Sequence, residues 1–90
     1  MSSSIAGKYS WTDSKTSLVE LIYAIHHSAS INKGSSDIKE LAHLFQEVFN
    51  IDLGDYYRTY LEIKNRTEPS KYLDTLRKNL NDKISEDYEK

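Results

Sequence analysis

Ninety residues, 38% hydrophobic and 29% charged with a net charge of −2, have the composition of one small globular domain rather than of a disordered segment. A chain this short hides only a little over half of its unfolded surface, roughly 60% for a 60-residue domain, so a single apolar cluster must serve as core and an interior active-site cavity is hard to fit. The absence of cysteine excludes a disulfide framework, a thiol nucleophile and a thiolate zinc site and points to a reducing, cytoplasmic location; the opening Met-Ser-Ser-Ser lacks the features of a signal peptide, and no apolar run approaches the roughly 20 residues of a membrane helix.

The Ser-rich start is expected to be loose, with residues 1–10 a flexible N-terminal segment ahead of a folded unit at 11–84. Leu18, Leu21, Ile22 and Ile25 form an apolar stripe at helical spacing and predict a first helix over about 14–28. Ser17 and Glu20 fit a capping box at its start, and Thr12, Asp13 and Ser14 are alternative caps. A polar stretch follows, with the turn signal Asn32-Lys33-Gly34 and one large apolar residue, Ile31, expected to pin the loop to the core.

From Asp37 to about Asn50, the residues Ile38, Leu41, Ala42, Phe45, Val48 and Phe49 repeat the helical spacing, and Asp37 with Glu40 can cap the helix reciprocally. Asn50-Ile51-Asp52 interrupts the pattern for about three or four residues, the length of a helix-turn-helix turn. Asp52 is the predicted cap of a third helix, whose stripe is expected to run through Leu53, Tyr57, Tyr60, Leu61 and Lys64. A fourth helix is predicted with Pro69 in its first turn and an apolar face of Leu73, Leu76, Leu80 and Ile84 directed into the core, while the acidic tail at 85–90 is expected to unwind. With no alternating segment long enough for a strand, the expected fold is all-α with four helices.

Charge is distributed unevenly. Residues 1–52 carry 4 Lys against 6 acids, residues 53–83 carry 7 Lys and Arg against 5 acids, and residues 84–90 carry one Lys against 3 acids. All three arginines, Arg58, Arg66 and Arg77, fall in the middle block, where a phosphate-facing surface is most plausible on charge grounds.

The strings SDIKELAHLFQEVFN at 36–50, IDLGDYYRTYLEIKNR at 51–66 and KYLDTLRKNL at 71–80, together with WTDSKTSLVELIYAIH at 11–26, resemble the C-terminal part of the RteC family over about Trp11 to Lys83. The resemblance implies a DNA-binding domain of helix-turn-helix or winged-helix-like form. The resemblance further implies that such a domain is part of a tetracycline-inducible transcriptional regulator acting on excision of conjugative transposons in Bacteroides and relatives. In that family a larger domain precedes this part. A winged helix places a β-hairpin after its recognition helix, whereas only Asn65 to Ser70 separate the third and fourth helices here.

If the second and third helices form a helix-turn-helix, the third enters the major groove, and a stripe through Leu53, Tyr57, Tyr60 and Leu61 turns Asp55, Tyr56, Arg58, Thr59 and Glu62 outward. Arg58 is then the leading base reader, because a guanidinium bonds bidentately to guanine for about 1–3 kcal/mol of discrimination, with Tyr56 and Thr59 beside it. Lys64, Arg66 and Lys71 are better placed for phosphates. The plain structural reading is an exposed ion pair between Arg58 and Glu62. Seven tyrosines suggest a stacking platform for single strands, but Tyr57 and Tyr60 are more simply read as packed rings.

His26, His27 and His43 lack the spacing and acidic partners of a metal site, no nucleophile motif or Gly-rich phosphate loop occurs, and Asp52 and Asp55 read as helix caps. The expectation is a non-enzyme without metal, cofactor or small-molecule ligand, acting on double-stranded DNA. The rival reading is a protein-interaction module, in which the fourth helix makes an isologous homodimer contact.

Overall fold

The computed structural model describes residues 8–89, so most of the segment expected to be loose, and Lys90 at the chain end, lie outside the described residues. The order of elements is α1 (Lys15–His27), a one-turn 3-10 segment (Asn32–Gly34), α2 (Ile38–Phe49), α3 (Tyr56–Asn65) and α4 (Lys71–Glu89). No strand occurs among the described residues, and no helix there is long and apolar enough to cross a membrane. The expected all-α chain with four helices is therefore what the structure contains.

Among the possible first caps the backbone uses Ser14, whose hydroxyl accepts the Ser17 N–H at 3.1 Å while the Ser17 hydroxyl donates to the Ser14 carbonyl at 2.7 Å. α1 is the hub, and α2, α3 and α4 each pack against it. That position explains why Leu18, Val19 and Ile22 are the largest fully buried side chains and why burial spreads beyond a single stripe to Ser17 and Glu20. Leu41 and Ala42 of α2, Leu53 of the following loop and Ile63 of α3 complete the core.

The loop after α1 holds Ala29, Asn32, Lys33 and Gly34 at positive φ, with Ile31 half-buried against the core as the sequence suggests. Gly34 is required twice over: its φ is +86°, and a Cβ there would sit 2.9 Å from the Ala29 Cβ. α2 then opens on the expected reciprocal cap, with Asp37 accepting the Glu40 N–H at 2.8 Å and Glu40 accepting the Asp37 N–H at 2.9 Å. It ends at Asn50 in the left-handed conformation.

The connection to α3 is longer than the sequence suggests, and this displaces the third helix. Asp52 does not cap α3; it accepts the Gly54 N–H at 2.9 Å in a local turn, and Asp55 caps the helix by accepting the Arg58 N–H at 3.2 Å. Leu53 is 4% exposed and lies in the loop, its N–H donating to the Gln46 side chain at 2.8 Å. Because Leu53 is not helical it does not set the helical phase. Tyr56, Tyr60 and Ile63 face the core, whereas Tyr57 and Leu61, expected there, are 54% and 52% exposed.

α4 also departs from expectation. It begins at Lys71, two residues after Pro69, and runs unbroken to Glu89 instead of unwinding at Ser85. Pairs between Lys78 and Asp82 at 2.9 Å and between Lys83 and Asp87 at 3.0 Å tie successive turns together. Only its start joins the domain: Leu73 is half-buried, but Leu76, Leu80 and Ile84 are 37%, 61% and 42% exposed, so the predicted core face is mostly a solvent face.

Two aromatic joints fasten the ends of the helices. Trp11 lies between Phe49 at the end of α2 and Tyr72 at the start of α4, with ring centroids 5.5 and 6.0 Å away, and its indole N–H donates to the Ser14 carbonyl at 2.8 Å. Tyr23 of α1 stacks on Tyr60 of α3 at 3.9 Å. The Tyr23 hydroxyl is buried without a hydrogen-bond partner among the described residues, and burial, followed by the neighbouring Tyr57, Tyr56, Tyr60 and Asp55, pushes its pKa up to about 12.

A tyrosine that titrates late in the folded state favours folding below its ordinary value near 10 and loses that contribution as pH rises toward 12. Tyr23→Phe keeps the stacked ring and removes the orphaned hydroxyl. It is expected to raise stability at neutral pH by about 1 kcal/mol and to lessen the loss between pH 10 and 12, as followed by chemical denaturation. Burial also raises Tyr56 and Tyr72, so part of the alkaline sensitivity remains in that variant.

Candidate nucleic-acid interface

Three side chains decide which face α3 offers. Tyr56, Tyr60 and Ile63 turn it toward the core, leaving Tyr57, Arg58, Leu61 and Glu62 outward. The Arg58 side chain is 78% exposed and its Nε lies 4.0 Å from Glu62, at the limit of an ion pair. An exposed contact of that length holds a guanidinium weakly and leaves its donors free for another acceptor.

The other sequence candidates are placed differently from one another. Thr59 is half-buried and its hydroxyl donates to the Asp55 carbonyl at 3.3 Å. Tyr56, expected outward, is half-buried on the core side; the exposed neighbour Tyr57 takes the outward position, its ring 4.7 Å from that of Tyr56. Lys64 is exposed with its ammonium 5.3 Å from the centre of the Tyr60 ring, and Lys71 is exposed on the first turn of α4.

Arg66 has a role that the sequence pattern does not reveal. Its guanidinium pairs with Glu20 and donates to the carbonyls of Glu68 at 3.0 Å and Pro69 at 2.8 Å. The Glu20 side chain is 4% exposed, and its second oxygen accepts the Leu73 N–H at 2.8 Å. One buried carboxylate thus ties α1 to the end of α3 and to the first turn of α4, where a helix N-terminus favours negative charge. Arg66 thereby stands apart from the exposed cations Arg58, Lys64 and Lys71.

His43 pairs with Glu47 at 3.3 Å on the surface of α2, and among the described residues no group of three or more His, Cys, Asp and Glu is placed to hold a metal ion. What α3 and its flanks supply is a set of exposed hydrogen-bond donors on a rigid helix. No curated protein and no solved structure gives a significant match to the chain. The family model described as RteC protein matches residues 1–87, and the chain belongs to the RteC family.

Proposed function

We propose that this chain is a sequence-specific DNA-binding domain of a transcriptional regulator that controls excision or transfer of a mobile genetic element. It acts without catalysis on double-stranded DNA, with α2 and α3 as a helix-turn-helix and α3 entering the major groove. Family membership supports the regulatory role. The observation that carries the assignment of the reading helix is the exposed guanidinium of Arg58 on the outward face of α3, held only by a contact with Glu62 at the limit of an ion pair.

In this reading Arg58 reads a base edge, with Thr59 and the outward Tyr57 at its side, and Lys64 and Lys71 neutralise phosphates. Arg58→Ala is expected to cut discrimination between cognate and scrambled duplex by about 1–3 kcal/mol. Lys71→Ala is expected to weaken both duplexes alike and to reduce the slope of log affinity against log salt by about 1. Titrations at several salt concentrations measure both, and equal losses on the two duplexes for Arg58→Ala would remove the base contact.

The exposed Tyr57 and Leu61 on the same face favour a second reading, in which α3 meets an apolar protein surface rather than DNA. In that case the duplex titrations show no salt-dependent binding.

A further inference from the structure

From Asp74 to Glu89 every residue of α4 is exposed, so the helix leaves the domain after its first turn and projects as a single rod. A helix in that setting needs no apolar stripe, yet Leu76, Leu80 and Ile84 recur at intervals of four on one face. We propose that this stripe pairs with the same stripe of a second copy, the two α4 helices lying antiparallel about a two-fold axis at Leu80.

The spacing is self-complementary under that operation. Leu80 meets Leu80 of the other copy, and Leu76 meets Ile84, since the latter two stand equally far from Leu80 along the helix. Charge selects the antiparallel arrangement. The first half of α4 carries Lys71, Arg77 and Lys78 against Asp74, whereas the second half carries Asp82, Glu86, Asp87 and Glu89 against Lys83. Antiparallel pairing sets the basic half of each copy against the acidic half of the other and opposes the helix dipoles; parallel pairing sets like against like.

Lys78 and Lys83 already have partners within the helix, but Arg77 makes no ion pair among the described residues and flanks the stripe in the basic half. In the register centred on Leu80, Lys71 stands opposite Glu89 of the other copy and Lys78 opposite Asp82, whereas Arg77 stands opposite Lys83. Three apolar side chains per copy are far fewer than the roughly 20–30 residues a side of a standard interface, so the dimer is weak and dissociates on dilution. This pairing does not depend on DNA binding.

The absence of cysteine makes cross-linking a clean test. Under mild oxidation Leu80→Cys is expected to give a covalent dimer, and a mixture of Leu76→Cys with Ile84→Cys to cross-link faster than either variant alone. Sedimentation of the unaltered chain is expected to show self-association that rises with concentration, and Leu80→Glu to abolish it without lowering the melting temperature of the monomer. Sedimentation as a monomer at every concentration leaves the stripe to a different polypeptide and overturns the proposal. Preferential self-linking of Leu76→Cys, the mark of a parallel pair, overturns it as well, and so does a melting temperature of Leu80→Glu below that of the unaltered chain at dilutions where both are monomers.

Discussion

Arg66→Ala is expected to lower the free energy of unfolding by about 3 kcal/mol, because it leaves the Glu20 carboxylate buried without its counter-charge. The carboxylate cannot relax into water: its side chain is 4% exposed, and its other oxygen is held by the Leu73 N–H. Arg66 itself is 28% exposed, which keeps the loss at the lower end of what broken buried pairs cost. A loss of that size is a large fraction of the total for a small domain, at roughly 0.05–0.15 kcal/mol per residue, and corresponds to a fall in melting temperature of about 12–24 °C.

Denaturant titration followed by circular dichroism measures the effect, and a loss under about 1 kcal/mol would deny the clamp its role. Replacing both partners, as in Glu20→Leu with Arg66→Met, is expected to recover most of the stability, since no charge is then stranded. The double variant also separates the clamp from the phosphate contact that the sequence suggests for Arg66. If it folds and binds duplex normally, the guanidinium serves the fold; if it folds and binds all duplexes weakly, the guanidinium also serves phosphate.

Leu53→Ala carries the second large effect, about 3 kcal/mol, from the lost transfer energy of a buried side chain and the cavity it leaves. Its consequence differs in kind from that of a central residue such as Leu18. Leu53 lies between α2 and α3, with its N–H on Gln46 and its side chain 4% exposed in the core, so the loop it anchors sets where α3 begins. Leu53→Met, which conserves volume, is expected to cost less than about 1.5 kcal/mol. Gln46→Ala is expected to cost about 1 kcal/mol by freeing the Leu53 N–H. If Leu53→Ala were as mild as Leu53→Met by denaturant titration, the loop would not be anchored through this side chain.

The same residue shows how far the sequence was readable. Where apolar spacing and capping chemistry agreed, as in α2 with its Asp37 and Glu40 box, both the helix and its first residue could be read directly. Leu53 looked like the first member of the α3 stripe because its spacing to Tyr57 suits a helix, but spacing does not say whether a residue is helical. Counting it fixed a phase that turned Tyr57 and Leu61 inward and Tyr56 outward. The available counter-signal was Ile63, which shares a stripe with Tyr56 and Tyr60, whereas the alternative stripe leads to Lys64.

α4 departs from its sequence pattern for a related reason. Its stripe has the spacing of a core face, and periodicity does not reveal whether a partner surface exists within the same chain. The tail composition suggests unwinding, yet Lys83 and Asp87 stand four residues apart and pair across one more turn. Glu20 with Arg66 was invisible for a different reason: the partners stand far apart in sequence, and only the packing of α1 against the α3–α4 turn brings them together.

The DNA-reading role of α3 is open to a direct test. Fluorescence anisotropy of a labelled mixed-sequence duplex pool, titrated with the chain at two salt concentrations, tests that directly and needs no known operator. Binding that weakens steeply with salt is the predicted result. No change in anisotropy at low salt, with circular dichroism showing the helices intact, would contradict it.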